Sequence, residues 1–379
     1  ARSPWHRCGG RRPRPRPNRR QLTDPLHPSS LPPRSKDYME IQYANVRLPV
    51  QPGLAAGCCV PFSDIPRLGS VERGVAASVS ATAVTLDNGT TLPYDHLVLA
   101  PGTGYACGVF KSSPDLSVAS RAAGVAAAAK AVDAASSTVI IGGGPVGVEV
   151  AAELAADGKG GALTLVTRGA ALLPGKPAHL SAAVETWLVA KGVTVVKGVA
   201  ASVETVKPAR RSGPAHRVSL GAGRPALDAD VVYTCYAGAP NTGFLRGGPG
   251  DACLDGAGFI RVDAALAVVA APASWYALGD ACDAPGVKLG YLARGQAGVV
   301  VANVKAAARG APASRAAAWA PNGGRPEMML VTLGRAAGAG HLGAWVRFPS
   351  LAVWALKSRD LFVGKTRAWI GAPPAPAAA

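Results

Sequence analysis

The chain has 379 residues, 49% of them hydrophobic, and a formal net charge of +17 at neutral pH. That length and apolar fraction exclude an intrinsically disordered protein and leave room for two or three domains with sizeable cores. A charge of this size spread over the whole surface would favour a nucleic-acid partner, but residues 1–36 hold ten Lys or Arg against one Asp, so nine of the seventeen charges sit in one segment.

That segment, "ARSPWHRCGGRRPRPRPNRRQLTDPLHPSSLPPRSK", is rich in Pro and Arg and has no apolar period. Residues 1–35 are therefore expected to be a disordered basic leader outside the fold, with a nucleic-acid arm and an Arg-rich transit-like leader as its functional alternatives. Seven cysteines, Cys8, Cys58, Cys59, Cys107, Cys235, Cys253 and Cys282, form no C-x-x-C pair and no metal-ligand spacing. This excludes a redox dithiol and fits a reducing, intracellular setting. No apolar run approaches the ~20 residues that span a bilayer, and there is no signal-peptide core, so the expectation is a cytoplasmic protein, soluble or peripheral on a membrane.

In chain order, residues 38–65 read as mixed and loop-like. Residues 75–84 and 86–92, around Asp87-Asn88-Gly89, read as a small β-meander, because Asp or Asn followed by Gly between apolar alternations is a hairpin signal. A strand at 96–100 ends in Pro101-Gly102-Thr103-Gly104, and ligands of open α/β sheets bind at such strand ends. An Ala-rich helix at 117–135 leads to the β-branched run Thr138-Val139-Ile140-Ile141, which has the composition of a buried parallel strand. There Gly142, Gly144 and Gly147 fall on the G-x-G-x-x-G spacing of a dinucleotide turn, with a helix at 148–154 and a strand at 163–166 after it. The bland alternative is a packing turn without ligand. A helix at 180–190, a strand at 193–196, a hairpin over 200–227 and a strand at 230–235 follow. In "SWYALGDACD" a strand at 275–278 runs into Gly279-Asp280, and an Ala-rich helix occupies 289–306. A Gly-Asp pair alone is a turn with a solvated acid; as the third strand end of ligand type it suits the hydroxyls of a ribityl chain.

Taken together, "LVLAPGTGY", "VIIGGGPVGVEVAAEL", "YTCYAGAPN" and "WYALGDACD" resemble the two-dinucleotide flavoproteins of the pyridine nucleotide oxidoreductase family. "KDYMEIQYANVR", "KLGYLARGQAGVVVANV" and "LKSRDLFV" are similar to its apoptosis-inducing-factor-related branch, the FAD-dependent NAD(P)H oxidoreductases of the ferroptosis-suppressor, quinone-reducing type. The resemblance covers about residues 36–370. It implies an α/β chain with FAD/NAD(P)-binding Rossmann-like domains, a β-meander and a small C-terminal subdomain. The FAD-binding domain would comprise 36–108 and 246–308, the NAD(P)H-binding domain 109–245, and a capping or membrane-facing subdomain 309–379. By the same resemblance Gly142, Gly144 and Gly147 hold NAD(P)H, and Glu149 matches the family's acid on that helix. Ala100, Gly102 and Thr103 match its Ala-Thr-Gly crossing segment, with Pro101 in place of Thr. Gly279 and Asp280 hold the FAD ribityl chain, and the helix starting near Tyr291 turns its N-terminal dipole to the flavin. No catalytic acid or base and no metal is implied, since the cofactors carry the chemistry.

The resemblance also exposes a departure. The family carries a first glycine-rich turn for FAD, and where it should lie residues 1–35 offer only Cys8-Gly9-Gly10-Arg11, with no strand before it and no helix after. Two readings follow: an FAD-dependent oxidoreductase passing electrons to a quinone or similar acceptor, its first βαβ unit displaced by a misassigned leader, or a flavin-free NAD(P)H-binding or inactive fragment. After the strand at 163–166, Thr167-Arg168 stand where a ribose-binding acid is usual. Arg168 suits a 2′-phosphate and favours NADPH, against an ordinary surface Arg. Finally, Trp319, Trp345, Trp354 and Trp369 lie among Arg347, Lys357, Arg359, Lys365 and Arg367. This composition suits peripheral membrane contact or, equally, a packed capping subdomain.

Overall fold

The structure, a computed structural model, describes residues 36–66, 68–111, 113–206, 215–221, 223–311 and 316–376. The basic leader and residues 207–214 of the hairpin at 200–227 lie outside the described residues. The stretch expected to be loop-like is instead built of short, buried elements. β1 (Tyr38–Glu40) pairs antiparallel with β2 (Cys59–Pro61), and tight turns over Gln42–Arg47 and the single-turn α1 (Ala55–Cys58) lie between them. Ile41, Ala44, Val46 and Val50 are almost fully buried and belong to the same apolar cluster as Ile140, Val148 and Leu154. Tertiary packing, not local period, makes this segment ordered.

The meander has three strands, β3 (Ala76–Val79), β4 (Ala83–Leu86) and β5 (Thr91–Pro93). The run expected as one strand over 75–84 breaks at residues 80–82, where Ser80 Oγ accepts from the Thr82 and Ala83 N–H groups, an alternative the hydroxyl offers to ladder pairing. β6 (Leu97–Leu99) leads into β7 (Thr103–Tyr105), and the capped helix α2 (Val118–Ala134) follows, with Ser117 and Ser120 forming a capping box.

Next come β8 (Ser137–Ile141), α3 (Pro145–Ala156), β9 (Ala162–Val166), α4 (Ala178–Ala190) and β10 (Thr194–Val196). β11 (Ser202–Thr205), β12 (His216–Ser219) and β13 (Leu227–Ala229) make a small antiparallel sheet before β14 (Val231–Thr234). The parallel sheet runs β10-β9-β8-β14, so β8 is central and its last four residues are buried. This is the doubly wound arrangement that the β-branched run and the glycine turn demand. β15 (Ala237–Pro240) then returns to pair with β7, and β16 (Trp275–Ala277) pairs parallel with β6. The second apolar cluster, with Leu99, Ile260, Trp275 and Val300, packs α5 (Gly290–Ala307) on that pair.

The C-terminal part is a three-stranded antiparallel sheet, β17 (Met328–Thr332), β18 (Gly338–Leu342) and β19 (Val346–Phe348), followed by α6 (Ser350–Val353), a wide turn over Trp354–Ser358 and α7 (Val363–Ile370). It packs on α3, which the parallel sheet and the turn over Gln42–Arg47 also cover, and every residue of α3 from Gly147 to Leu154 is buried. The mixed α/β architecture with a meander and a small C-terminal subdomain is the one the sequence implies. Among the described residues no helix is long and apolar enough to cross a membrane.

Candidate functional site

The glycine turn sits between β8 and α3. Gly142 has φ +129°, open to glycine but strained for other residues, and a Cβ there would lie 2.5 Å from Cys235 O. A Cβ on Gly147 would lie 1.9 Å from Gly142 O, so only glycine lets α3 start this close to the strand. Gly144 differs: nothing approaches within 4 Å of the position its Cβ would take. It is also the N-cap of α3 and has no side chain to satisfy the first-turn N–H groups. The turn thus leaves an open cradle with free donors at a helix start, which fits the pyrophosphate of NAD(P)H. The loop after β9 closes one side through Leu173 N–H to Gly143 O at 2.7 Å, and Arg168 stands exposed just beyond β9.

The second group of expected residues meets at the C-terminal ends of β6 and β16. Ala100 and Gly102 form the turn into β7, pinned by Asn241, whose N–H donates to Gly102 O and whose Nδ2 donates to Pro101 O. Thr103, 5% exposed, and Asp280 are joined by Lys111, whose Nζ lies 3.0 Å from Thr103 Oγ1 and 2.8 Å from Asp280 Oδ2. Gly279 has φ +79°, and its N–H donates to Gln296 Oε1 of α5 at 2.7 Å. α5 opens at Leu289 with no side-chain cap. A carboxylate held between two strand ends beside an uncapped helix start fits the ribityl and ring end of FAD. Tyr291 is at the start of α5, but its hydroxyl donates to Met328 O of the C-terminal sheet.

Glu149 is separated from the turn residues of its own helix. It is 4% exposed and faces the C-terminal subdomain, where Oε1 accepts from Thr332 N–H at 2.8 Å and from Lys357 Nζ at 2.5 Å. Lys357 Nζ also donates to Leu330 O at 2.9 Å. Lys111, Gln296 and Lys357 were not singled out as site residues from sequence. Lys357 and Gln296 had a signal, since they lie in "LKSRDLFV" and "KLGYLARGQAGVVVANV", stretches that carry the family resemblance, whereas Lys111 had none.

G-x-G-x-x-G spacing recurs at Gly338, Gly340 and Gly343, on antiparallel β18 and its turn. There the missing side chains make room for Val353 and Leu330, and no dinucleotide turn results. Among the described residues the cysteines are free, and burial pushes the Cys107 thiol up to about 11 and Cys59 to about 12. Among the described residues no group of three His, Cys, Asp or Glu could hold a metal ion.

A glycine turn and a Gly-Asp turn, each at a strand end of one α/β frame, fit a dinucleotide-binding oxidoreductase. The chain belongs to the pyridine nucleotide-disulphide oxidoreductase family, whose model matches residues 69–308. Its cofactors are accordingly FAD and NAD(P)H. It is similar to human ferroptosis suppressor protein 1, 29% identical over 341 residues that cover 86% of each protein. It is also similar to the FAD-dependent oxidoreductase FVFD30 of Flammulina velutipes, 27% identical over 299 residues, 76% of this chain and 86% of that one. Among solved structures, the sulfide:quinone oxidoreductase of Aquifex aeolicus has a like fold, with a TM-score of 0.63, 16% identity, and coverage of 88% of this chain and 83% of that one.

Proposed function

We propose that this FAD-dependent pyridine nucleotide oxidoreductase passes electrons from NAD(P)H to a small quinone-type acceptor. The observation that carries this reading is the state of the thiols: with no C-x-x-C pair in the sequence, and with the described cysteines free, all but Cys107 buried, and their thiols pushed up by burial, no protein dithiol relays the electrons. The acceptor must then be a diffusible molecule. When bound, the cofactors supply the hydride and electron transfer. The chain's own residues do the rest. The α3 turn binds the coenzyme through backbone N–H groups; Asp280, positioned by Lys111 and by the Gln296 bond to Gly279, holds the flavin's ribityl chain. Quinone reduction consumes protons, and the Lys357 ammonium, held by Glu149 and Leu330 O and only 12% exposed, is a proton-bearing group with limited access to water.

The test is NAD(P)H oxidation by the purified chain, with FAD added, in the presence of a short-chain ubiquinone or of a disulfide. Turnover with the quinone alone is expected. Coenzyme binding without any turnover would establish the flavin-free alternative.

Coenzyme choice rests on Arg168. An acid at the end of β9 would repel a 2′-phosphate, and an exposed Arg can pair with it, so NADPH is expected to serve at least as well as NADH. Arg168→Glu should shift the ratio of kcat/KM toward NADH by about tenfold or more. An unchanged ratio would mark Arg168 as a surface residue.

Peripheral membrane contact is supported by two of the four C-terminal tryptophans, Trp345 and Trp369, which are 89% and 56% exposed, together with Leu351 at 73%. Trp319 instead donates its indole N–H to Pro285 O. The chain should co-sediment with anionic vesicles and lose that binding when Leu351 and Trp369 are both changed to Ser.

A further inference from the structure

Lys111 does more at the Gly-Asp turn than hold Asp280 in place. An ammonium group has three N–H donors and no acceptor. One of the three goes to Thr103 Oγ1 and one to Asp280 Oδ2, at 3.0 and 2.8 Å. The third is left for a ligand laid across the ends of β6 and β16, and the side chains of Lys111 and Asp280 keep 20% and 29% of their surface open there.

The backbone that carries Lys111 is fixed on three consecutive carbonyls. Arg121 of α2 donates from Nη1 to Gly108 O at 3.2 Å and from Nη2 to Val109 O at 2.6 Å, and Asn45 Nδ2 donates to Phe110 O at 3.0 Å. Both donor side chains are almost fully buried, and both also donate to Glu40 Oε1. The Phe110 ring packs edge-on against Tyr233, with centroids 5.0 Å apart. A lysine on an ordinary surface loop gives up chain and rotamer freedom when it binds. Here most of that freedom is already lost, so a contact made by the ammonium costs less ordering.

The identity of the ligand group follows from the order of parts along FAD: ring, ribityl chain, diphosphate, adenosine. α5, whose uncapped start suits the ring, reaches the turn through Gln296 and Gly279, and Asp280 suits the ribityl chain. Thr103 and Lys111 belong to the neighbouring strand end, across Asp280 from that contact. The part of FAD that follows the ribityl chain is its first phosphate. We propose that Lys111 is the cation that binds the flavin-side phosphate of FAD, with Thr103 steadying the ammonium. This assignment rests on the FAD site described above and gives that site its phosphate contact. Asp280 offsets the charge of Lys111 at a distance, so the contact is a short-range, charge-assisted hydrogen bond and not long-range steering.

The experiment is fluorescence titration of the full chain, without NAD(P)H, with riboflavin, FMN and FAD. Riboflavin and FMN differ only in the phosphate, so the ratio of their affinities isolates it. FMN is expected to bind at least about tenfold more tightly than riboflavin. Lys111→Met should bring those two affinities within about threefold of each other and weaken FAD binding by about tenfold or more. Lys111→Arg, which keeps the cation, should retain most of the preference. A lysine that acted solely through Asp280 would leave a different signature: Lys111→Met would weaken all three flavins alike and leave the FMN-to-riboflavin ratio where it was. That signature, or a parent with no preference for FMN, would overturn the assignment while the FAD site stands. A parent that binds none of the three flavins would overturn the assignment and the FAD site together, so riboflavin binding by the parent tells the two failures apart.

Discussion

Replacing Asp280 by alanine is expected to weaken FAD binding by roughly ten- to a hundred-fold, the equivalent of the charge-assisted hydrogen bonds of about 1.5–3 kcal/mol that its carboxylate would make to ribityl hydroxyls. The carboxylate is prepared for that task from two sides. Lys111 holds Oδ2 at 2.8 Å, and Gln296 fixes the N–H of the preceding Gly279 at 2.7 Å. Removing the acid also leaves the Lys111 ammonium with Thr103 Oγ1 but without its charged partner, so the loss should be at the upper end of the range. Fluorescence titration of parent and variant with FAD measures it. Parent-like affinity in the variant would sink the assignment, whereas a parent that takes up no FAD would count against the flavoenzyme reading of this chain.

The largest loss of stability is expected for Arg47→Met. Arg47 Nε and Nη2 donate to Glu153 Oε2 and Oε1 at 2.9 and 2.8 Å, and the two side chains are 3% and 1% exposed. The pair ties the turn over Gln42–Arg47 to α3. Breaking a buried pair from one side costs about 3–5 kcal/mol, because the remaining charge is left without compensation. Burial already pushes the Glu153 carboxyl up, against the opposing pull of Arg47. Without Arg47 the carboxyl will take up a proton more readily still, so the variant should be relatively less impaired at mildly acidic pH than at pH 8. Urea unfolding measures the loss. Adding Glu153→Leu to Arg47→Met should recover much of it, since the double variant buries no lone charge. A single variant within about 1 kcal/mol of the parent would show that the pair contributes little.

The central βαβ unit could be read from sequence because local and global signals agree there. Thr138 to Ile141 has the β-branched composition of a buried strand, Gly142 and Gly147 are the residues that the turn geometry admits, and Pro145 suits the first turn of α3. The meander was legible through Asp87-Asn88-Gly89, but not its break at Ser80, where one hydroxyl competes with the ladder. The segment from Tyr38 to Ile65 was not legible, because its buried residues follow no single period and owe their burial to α2 and α3. The same limit hid Lys111. Lys111 acquires meaning only from an acid 169 positions further on. Glycine spacing by itself decided nothing, as Gly338, Gly340 and Gly343 demonstrate: they meet the spacing on an antiparallel strand and serve side-chain packing instead.

Three ion pairs of graded exposure fasten the C-terminal subdomain, two to α3 and its C-cap and one to the loop before α4. Arg335 and Asp157 are 51% and 21% exposed, Lys176 and Glu327 are 8% and 34%, and Lys357 and Glu149 are 12% and 6%. Dissolved salt therefore acts on these pairs unevenly. At about 1 M the Debye length is about 3 Å, short enough to screen the outermost pair, while charges shut away from solvent feel little of it. The subdomain is accordingly fastened most firmly at Lys357, on the very residue that grips Glu149. A rise in ionic strength loosens the rim at Arg335 first and reaches that inner fastening last.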